Sequence, residues 1–99
     1  MSDEIGFAAP PFDAVEALPR LKRELRALGL TEREGRFERR GLLIAQASLD
    51  EGLLQAAMVR RPSRSSPEWE RRTLRNAAEL RDFVAVLKKK IAAWGDRDE

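Results

Sequence analysis

The sequence contains no cysteine, no histidine and no tyrosine. The missing cysteines exclude disulfide bonds and thiolate metal sites. The usual proton shuttle, thiolate nucleophile and phenolic acid of enzyme active sites are absent with them. A metal site would need carboxylates alone, and the close pairs Asp50–Glu51 and Asp96/Asp98 fall in a predicted turn and a tail. We therefore predict that the chain is not an enzyme, with no catalytic residue, no metal and no cofactor.

Long apolar runs are also missing. No segment approaches the length that spans a bilayer, and residues 1–7 are acidic where a signal peptide would be basic. A hydrophobic content of 42% is too high for a disordered chain, and 99 residues make one domain. We expect a cytoplasmic protein without membrane contact. Its predicted parts are a flexible arm (1–12), a single α+β domain (13–95) and an acidic tail (96–99).

Charge is distributed unevenly along the chain. The formal net charge is +2, but residues 14–90 alone carry a net charge of +7 and the two ends are acidic. A basic central segment suits an anionic partner, but an ordinary solvent-exposed surface that is rich in arginine would have the same net charge.

The first helix is predicted at residues 14–28. Asp13 and Glu16 form a capping-box pattern, and Gly29 fits the left-handed position after the helix end. Pro19 should kink or restart the helix, because it cannot donate a backbone hydrogen bond. The apolar stripe on this helix comprises Val15, Leu18, Leu21, Leu25 and Leu28.

The middle of the chain predicts a β-hairpin. Strands at Leu42–Leu49 and Leu53–Val59 would flank a three-residue turn, with Gly52 in its left-handed bulge position. The alternative is helical, because Ser48 and Glu51 also form a capping box and this stretch is rich in Ala and Leu. Glycines at strand-like intervals favour the hairpin.

A long C-terminal helix is predicted next. Ser66 would cap it, Pro67 would occupy its first position and Gly95 would end it. The apolar seam that supports it comprises Trp69, Thr73, Ala77, Leu80, Val84, Leu87, Ile91 and Trp94.

A second interpretation stays open for the start of that helix. Asn76 and Glu79 form their own capping box, so residues 68–74 could be a third strand. The segment 77–94 is helical under both interpretations. The predicted fold class is thus α+β: a helix, a hairpin with a possible third short strand, and a long helix, with both helices on one face of a small antiparallel sheet.

Basic residues cluster beside a polar loop at residues 60–66. Arg and Lys that neutralise phosphates drive sequence-independent binding to nucleic acid. The candidate nucleic-acid contacts are Arg60, Arg61, Arg64, Arg71, Arg72 and Arg75. The alternative is that most of these cations are solvated residues on helix faces with nearby acidic partners. No recognised nucleic-acid-binding motif accompanies them.

The apolar sector of the last helix is wider than one sheet face needs, because Phe83 and Val86 lie beside its stripe. A lone hairpin is marginally stable, so joining hairpin edges or pairing long helices in a homodimer would complete the fold. The candidate interface residues are Trp69, Phe83, Val86, Leu87, Ile91 and Trp94. Core packing is the alternative for the tryptophans and for Leu87.

Together these observations predict a small non-catalytic interaction module. We expect a homodimer that binds a protein partner through its hairpin and long helix, as an adaptor or regulator. The alternative is a nucleic-acid-binding accessory protein that uses the basic loop and neighbouring arginines.

Overall fold

The structure, a computed structural model, describes residues 12–95. It has two helices and five strands: α1 (Ala14–Ala27), β1 (Thr31–Arg33), β2 (Arg36–Arg39), β3 (Leu42–Asp50), β4 (Leu53–Val59), β5 (Trp69–Leu74) and α2 (Ala77–Trp94). The predicted α+β class is confirmed, with both helices on one face of an antiparallel sheet. The predicted N-terminal arm, apart from Phe12, and the acidic tail lie outside the described residues.

The sheet is a meander in which strand order follows chain order, and every neighbouring pair is antiparallel. The hairpin β3–β4 is confirmed and forms its centre. However, β3 and β4 are paired on their outer sides by β2 and β5. The prediction that two copies could join hairpin edges is therefore wrong, because those edges are already hydrogen-bonded within one chain.

Three two-residue turns connect the first four strands. Each consists of a non-glycine residue followed by glycine, both with positive φ: Glu34-Gly35, Arg40-Gly41 and Glu51-Gly52. Positive φ at both central positions defines the turn type whose twist matches that of antiparallel strands. The expected three-residue turn before Leu53 is wrong, because Asp50 pairs directly with Leu53 across Glu51-Gly52.

Helix α1 matches its prediction closely. The Asp13 carboxylate accepts hydrogen bonds from the backbone N–H groups of Val15 and Glu16, and Gly29 has a φ of +92°. The helix continues through Pro19, which leaves the carbonyl of Val15 without its usual donor. Val15 is exposed, so water can hydrate that carbonyl.

The preferred start of the C-terminal helix at Ser66 is wrong, and the alternative at Asn76 is correct. Residues 69–74 pair with β4 as a strand, and the Asn76 side chain accepts a hydrogen bond of 2.8 Å from the N–H of Glu79. Trp69 therefore belongs to β5 and does not share a helical stripe with Trp94. Its spacing to Thr73 fits a helix, but backbone pairing with β4 decides the conformation.

The core lies between the helices and one sheet face. Its largest fully buried side chains come from β2, β3, β4 and both helices: Phe37, Phe83, Leu21, Leu25, Ile44, Leu54, Met58, Leu80, Leu87 and Val59. A bulge after Phe37 leaves Ile44 without a partner in β2, while Ala45 pairs with Phe37. Both Ile44 and Ala45 are consequently buried, which strict alternation along β3 would not allow.

Candidate functional site

Ion pairs identify which sheet face the helices cover. From α1, Lys22 and Arg26 contact Glu32 of β1 at 3.1 and 2.7 Å. From α2, Lys90 lies 3.2 Å from Glu70 of β5. Side chains alternate along a strand, so Arg33 and Arg71, which follow these acids directly, point to the opposite face. Among residues 12–95 no helix or strand covers that face, which we call the open face.

One row of residues crosses the open face from edge to edge. Cross-strand register aligns Arg33 of β1, Arg36 of β2, Gln46 of β3, Ala57 of β4 and Arg71 of β5. The three arginines are exposed, whereas Ala57 is buried between larger neighbours. At a strand spacing of about 4.8 Å, Arg36 and Arg71 start about 14 Å apart. The row therefore presents positive charge at both sides of a small central residue.

The charges on this row are not compensated. Arg33 and Arg36 are direct cross-strand partners, an arrangement in which like charges destabilise a sheet. Within residues 12–95, the side chains of Arg33, Arg36 and Arg71 make no ion pair or hydrogen bond. By contrast, Arg72 points to the helix side and lies 3.4 Å from Asp82. An anion bound at the row would relieve the repulsion between Arg33 and Arg36.

A shallow depression of about 370 Å³ lies at the centre of the open face. Gln46, Ser48, Gln55, Ala57 and Arg71 contribute to its lining, together with Leu49, Asp50 and Ala56. The small side chain of Ala57 leaves space for the depression between Gln46 and Arg71, its larger neighbours in the row. The Gln55 carbonyl accepts a 2.9 Å hydrogen bond from the Thr73 hydroxyl, so its amide nitrogen is left to donate elsewhere. The depression is thus lined by one cation, Arg71, one acid, Asp50, and polar groups that can hydrogen-bond an extended polar ligand.

The six predicted nucleic-acid contacts do not converge. Arg71 lies on the open face, whereas Arg72 points to the helices. Arg60 lies 3.7 Å from Glu68 and 3.6 Å from Glu70. Arg61 and Arg64 are exposed in the loop that follows β4, and Arg75 is exposed between β5 and α2.

The predicted interface residues lie mostly in the core of one chain. Phe83 and Leu87 are fully buried, so a partner cannot reach them without rearrangement. Trp69, Val86, Ile91 and Trp94 are half-buried and pack against the same core. The apolar width of α2 is therefore accounted for by the five-stranded sheet and α1. Self-association stays a prediction. The instability of a lone two-stranded hairpin no longer supports it, because one chain forms a five-stranded sheet.

The ion pairs on the helix side perturb one carboxyl group. Hydrogen bonding from Lys22 is the main cause that lowers the pKa of Glu32, and Arg26 adds to it. Glu32 thus neutralises cations of α1 and does not reach the arginines of the open face. The two sides of the sheet differ accordingly. The arginines of the row have no acidic partner, whereas four cations on the helix side do: Lys22, Arg26, Arg72 and Lys90.

Sequence reasoning missed the row because it did not recognise β1 and β2 as strands. Arg33 and Arg36 were not among the candidate contacts. The available signal was weak: Gly35 and Gly41 can each close a turn, but neither follows the Asn, Asp or Gly that is common in two-residue hairpins. Placing strands around those turns puts Arg33 opposite Arg36.

Within residues 12–95, no group of three or more carboxylates is arranged to hold a metal ion. Neither helix in this range is long and apolar enough to cross a membrane.

Fold and site together define a two-layer α+β domain with an uncovered sheet face that carries a row of three arginines. Comparison of the chain with family models, curated proteins and solved structures gives no match.

Proposed function

We propose that this chain is a non-catalytic interaction module that binds an acidic, extended segment of a protein partner on its open face. The observation that carries the proposal is the row of uncompensated arginines, Arg33, Arg36 and Arg71. Carboxylates are the natural ligands of guanidinium groups, which they engage through paired hydrogen bonds. Gln46 and Ser48 lie between the arginines and supply further hydrogen bonds to a polar main chain.

A nucleic acid is the weaker candidate for this face. Proteins that bind single strands on a sheet stack bases on exposed aromatic side chains. The aromatic residues within 12–95 are buried or half-buried: Phe12, Phe37, Trp69, Phe83 and Trp94. A duplex would need a broad basic surface, whereas the predicted arginine contacts separate onto two faces and a loop. An acidic peptide needs only the charges and hydrogen bonds of the row.

A homodimer formed by strand pairing would have to use β1 or β5, the two edge strands. Strand β5 carries Arg71 and Arg72 at its centre, so pairing two copies antiparallel there would bring like charges together. The proposed binding to an acidic partner does not require a second copy of the chain. Light scattering at micromolar concentration measures which state is populated.

The test uses a fluorescently labelled oligoglutamate peptide as the probe. The double variant Arg36→Gln with Arg71→Gln is compared with Arg61→Gln with Arg64→Gln, which removes the same charge from exposed loop positions. We expect the row variant to bind the probe about tenfold more weakly, since hydrogen bonds to charged groups contribute about 1.5–3 kcal/mol each and exposure reduces that value. The loop variant should bind like the wild type.

Two outcomes contradict the proposal. Equal weakening in both variants would mean that the probe senses net charge and that there is no site. Tighter binding of an oligothymidine, lost in the row variant and not matched by the peptide, would assign the face to nucleic acid.

A further inference from the structure

A second surface lies on the far side of the helical layer, away from the open face. It is a groove of about 400 Å³ between α1 and α2. Its lining comes from both helices: Arg20, Glu24, Leu80, Arg81, Val84, Ala85 and Lys88. The hydrophobic core separates it from the arginine row, so the two surfaces can be occupied together.

The middle of the groove is apolar. Leu80 and Val84 are four residues apart on α2 and therefore lie one above the other on the same helix face. Leu80 is 2% exposed, and Val84 is half-buried against the core. The neighbouring Ala85 is exposed and small, which keeps the space between the helices open. Apolar floors of this kind accept the side chains of a docked amphipathic helix.

The rim of the groove is basic. It carries Arg20, Arg81 and Lys88 against the single acid Glu24. Arg20 and Glu24 are four residues apart on α1, yet they form no ion pair. In the part of the chain that the structure describes, none of the four side chains has an ion pair or side-chain hydrogen bond. Charge complementarity therefore selects an acidic occupant.

We infer that this groove binds an amphipathic helix of a protein partner, with an apolar stripe on its docking face and glutamates beside that stripe. A second copy of this chain is a poor occupant, because two-fold pairing of the grooves would place the same basic rims against each other. This site goes beyond the open face and makes the chain a two-sided adaptor. One side takes an extended acidic segment and the other takes an acidic helix.

The probe for this site is a designed helical peptide of about 18 residues, long enough to hold helical structure. Leucines at helical spacing form one stripe, and glutamates flank it. A control peptide has the same composition with the leucines scrambled. Amide chemical shifts of the isotopically labelled protein locate the binding, and fluorescence anisotropy measures the affinity. We expect shifts at Arg20, Arg81, Val84 and Lys88 with the striped peptide only.

Two variants test the chemistry of the groove. Arg81→Glu with Lys88→Glu should weaken binding about tenfold, because each reversal removes an attraction and adds a repulsion. The matched control is Arg23→Glu with Lys89→Glu, which changes the net charge equally on exposed positions of the same helices outside the groove. Ala85→Gln keeps the charge and the helix propensity, and should weaken binding by filling the groove. Far-UV circular dichroism confirms that each variant is folded.

The inference is overturned if the striped peptide shifts the row residues Arg36 and Arg71 instead of the groove. That result would leave the proposed function of the open face standing. Equal binding of the scrambled peptide, or equal weakening in the control variant, would also overturn it. Loss of oligoglutamate binding in the row variant, with the groove still occupied by its peptide, would show that the two sites are separate.

Discussion

Replacing Arg36 by glutamate should stabilise the fold while it weakens binding at the open face. Arg36 lies directly across from Arg33 in the β1–β2 hairpin, and neither guanidinium group has an acidic partner within residues 12–95. At a separation of about 6 Å in water, two unit charges interact with about 0.7 kcal/mol. The substitution changes the sign of that energy, and salt and side-chain freedom reduce it. We expect a gain of about 0.5–1 kcal/mol in the free energy of unfolding, consistent with measured cross-strand pairs.

Thermal unfolding at low salt measures this gain. For a domain of this size, 1 kcal/mol shifts Tm by about 4–8 °C, so Tm should rise by about 2–8 °C. Raising the salt concentration should shrink the difference, because exposed charges are screened. The control is Arg71→Glu, which makes the same change in net charge opposite Ala57 and should leave Tm nearly unchanged.

If Arg36 is retained for binding at some cost in stability, the single variant Arg36→Glu should be more stable and should bind more weakly. The reasoning fails if Arg36→Glu leaves Tm unchanged or lowers it at low salt. It fails equally if Arg71→Glu gives the same rise, because the effect would then belong to net charge and not to the pair of arginines.

Two further predictions concern the fold. In chemical denaturation, Gly35→Ala should lower the free energy of unfolding by more than Gly52→Ala, although both residues have positive φ. A Cβ on Gly35 would lie 3.0 Å from the Ala47 carbonyl oxygen, whereas a Cβ on Gly52 would meet no atom within 4 Å. The positive φ alone costs about 1 kcal/mol, so equal losses would refute the contact. Because folding lowers the pKa of Glu32, its stabilising effect is present above the ordinary carboxyl value of 4.5 and is lost as pH falls through the lowered one. Glu32→Gln should therefore be less stable than the wild type at pH 7 by less than about 1 kcal/mol, and the difference should shrink as pH falls below 4.5, as measured by urea denaturation.

Part of the fold follows from short-range rules. Asp13 and Gly29 bracket α1 because a side-chain acceptor and a left-handed residue satisfy the free backbone groups at helix ends. The β3–β4 hairpin follows from apolar residues around a glycine turn. The same rule does not give β1 and β2, because these strands contain a single apolar residue, Phe37.

The candidate site was harder to predict, because it depends on which face each residue occupies. Arg71 and Arg72 are adjacent and chemically identical, yet one is exposed on the open face and the other pairs with Asp82. The face on which a side chain lies depends on the register of its strand. A single bulge, such as that at Ile44, moves every following residue of the strand to the opposite face.

The sequence by itself determined the elements whose signals are local: the capped ends of α1, the apolar stripe of α2 after Asn76, and the position of the glycine turn between β3 and β4. Only the tertiary structure decided that residues 69–74 form a strand, because their spacing suits a helix and their backbone groups find partners in β4. It also decided that Arg33, Arg36 and Arg71 lie in one row. Residues 38 positions apart in the chain come together only when five strands align, and no local pattern encodes that alignment.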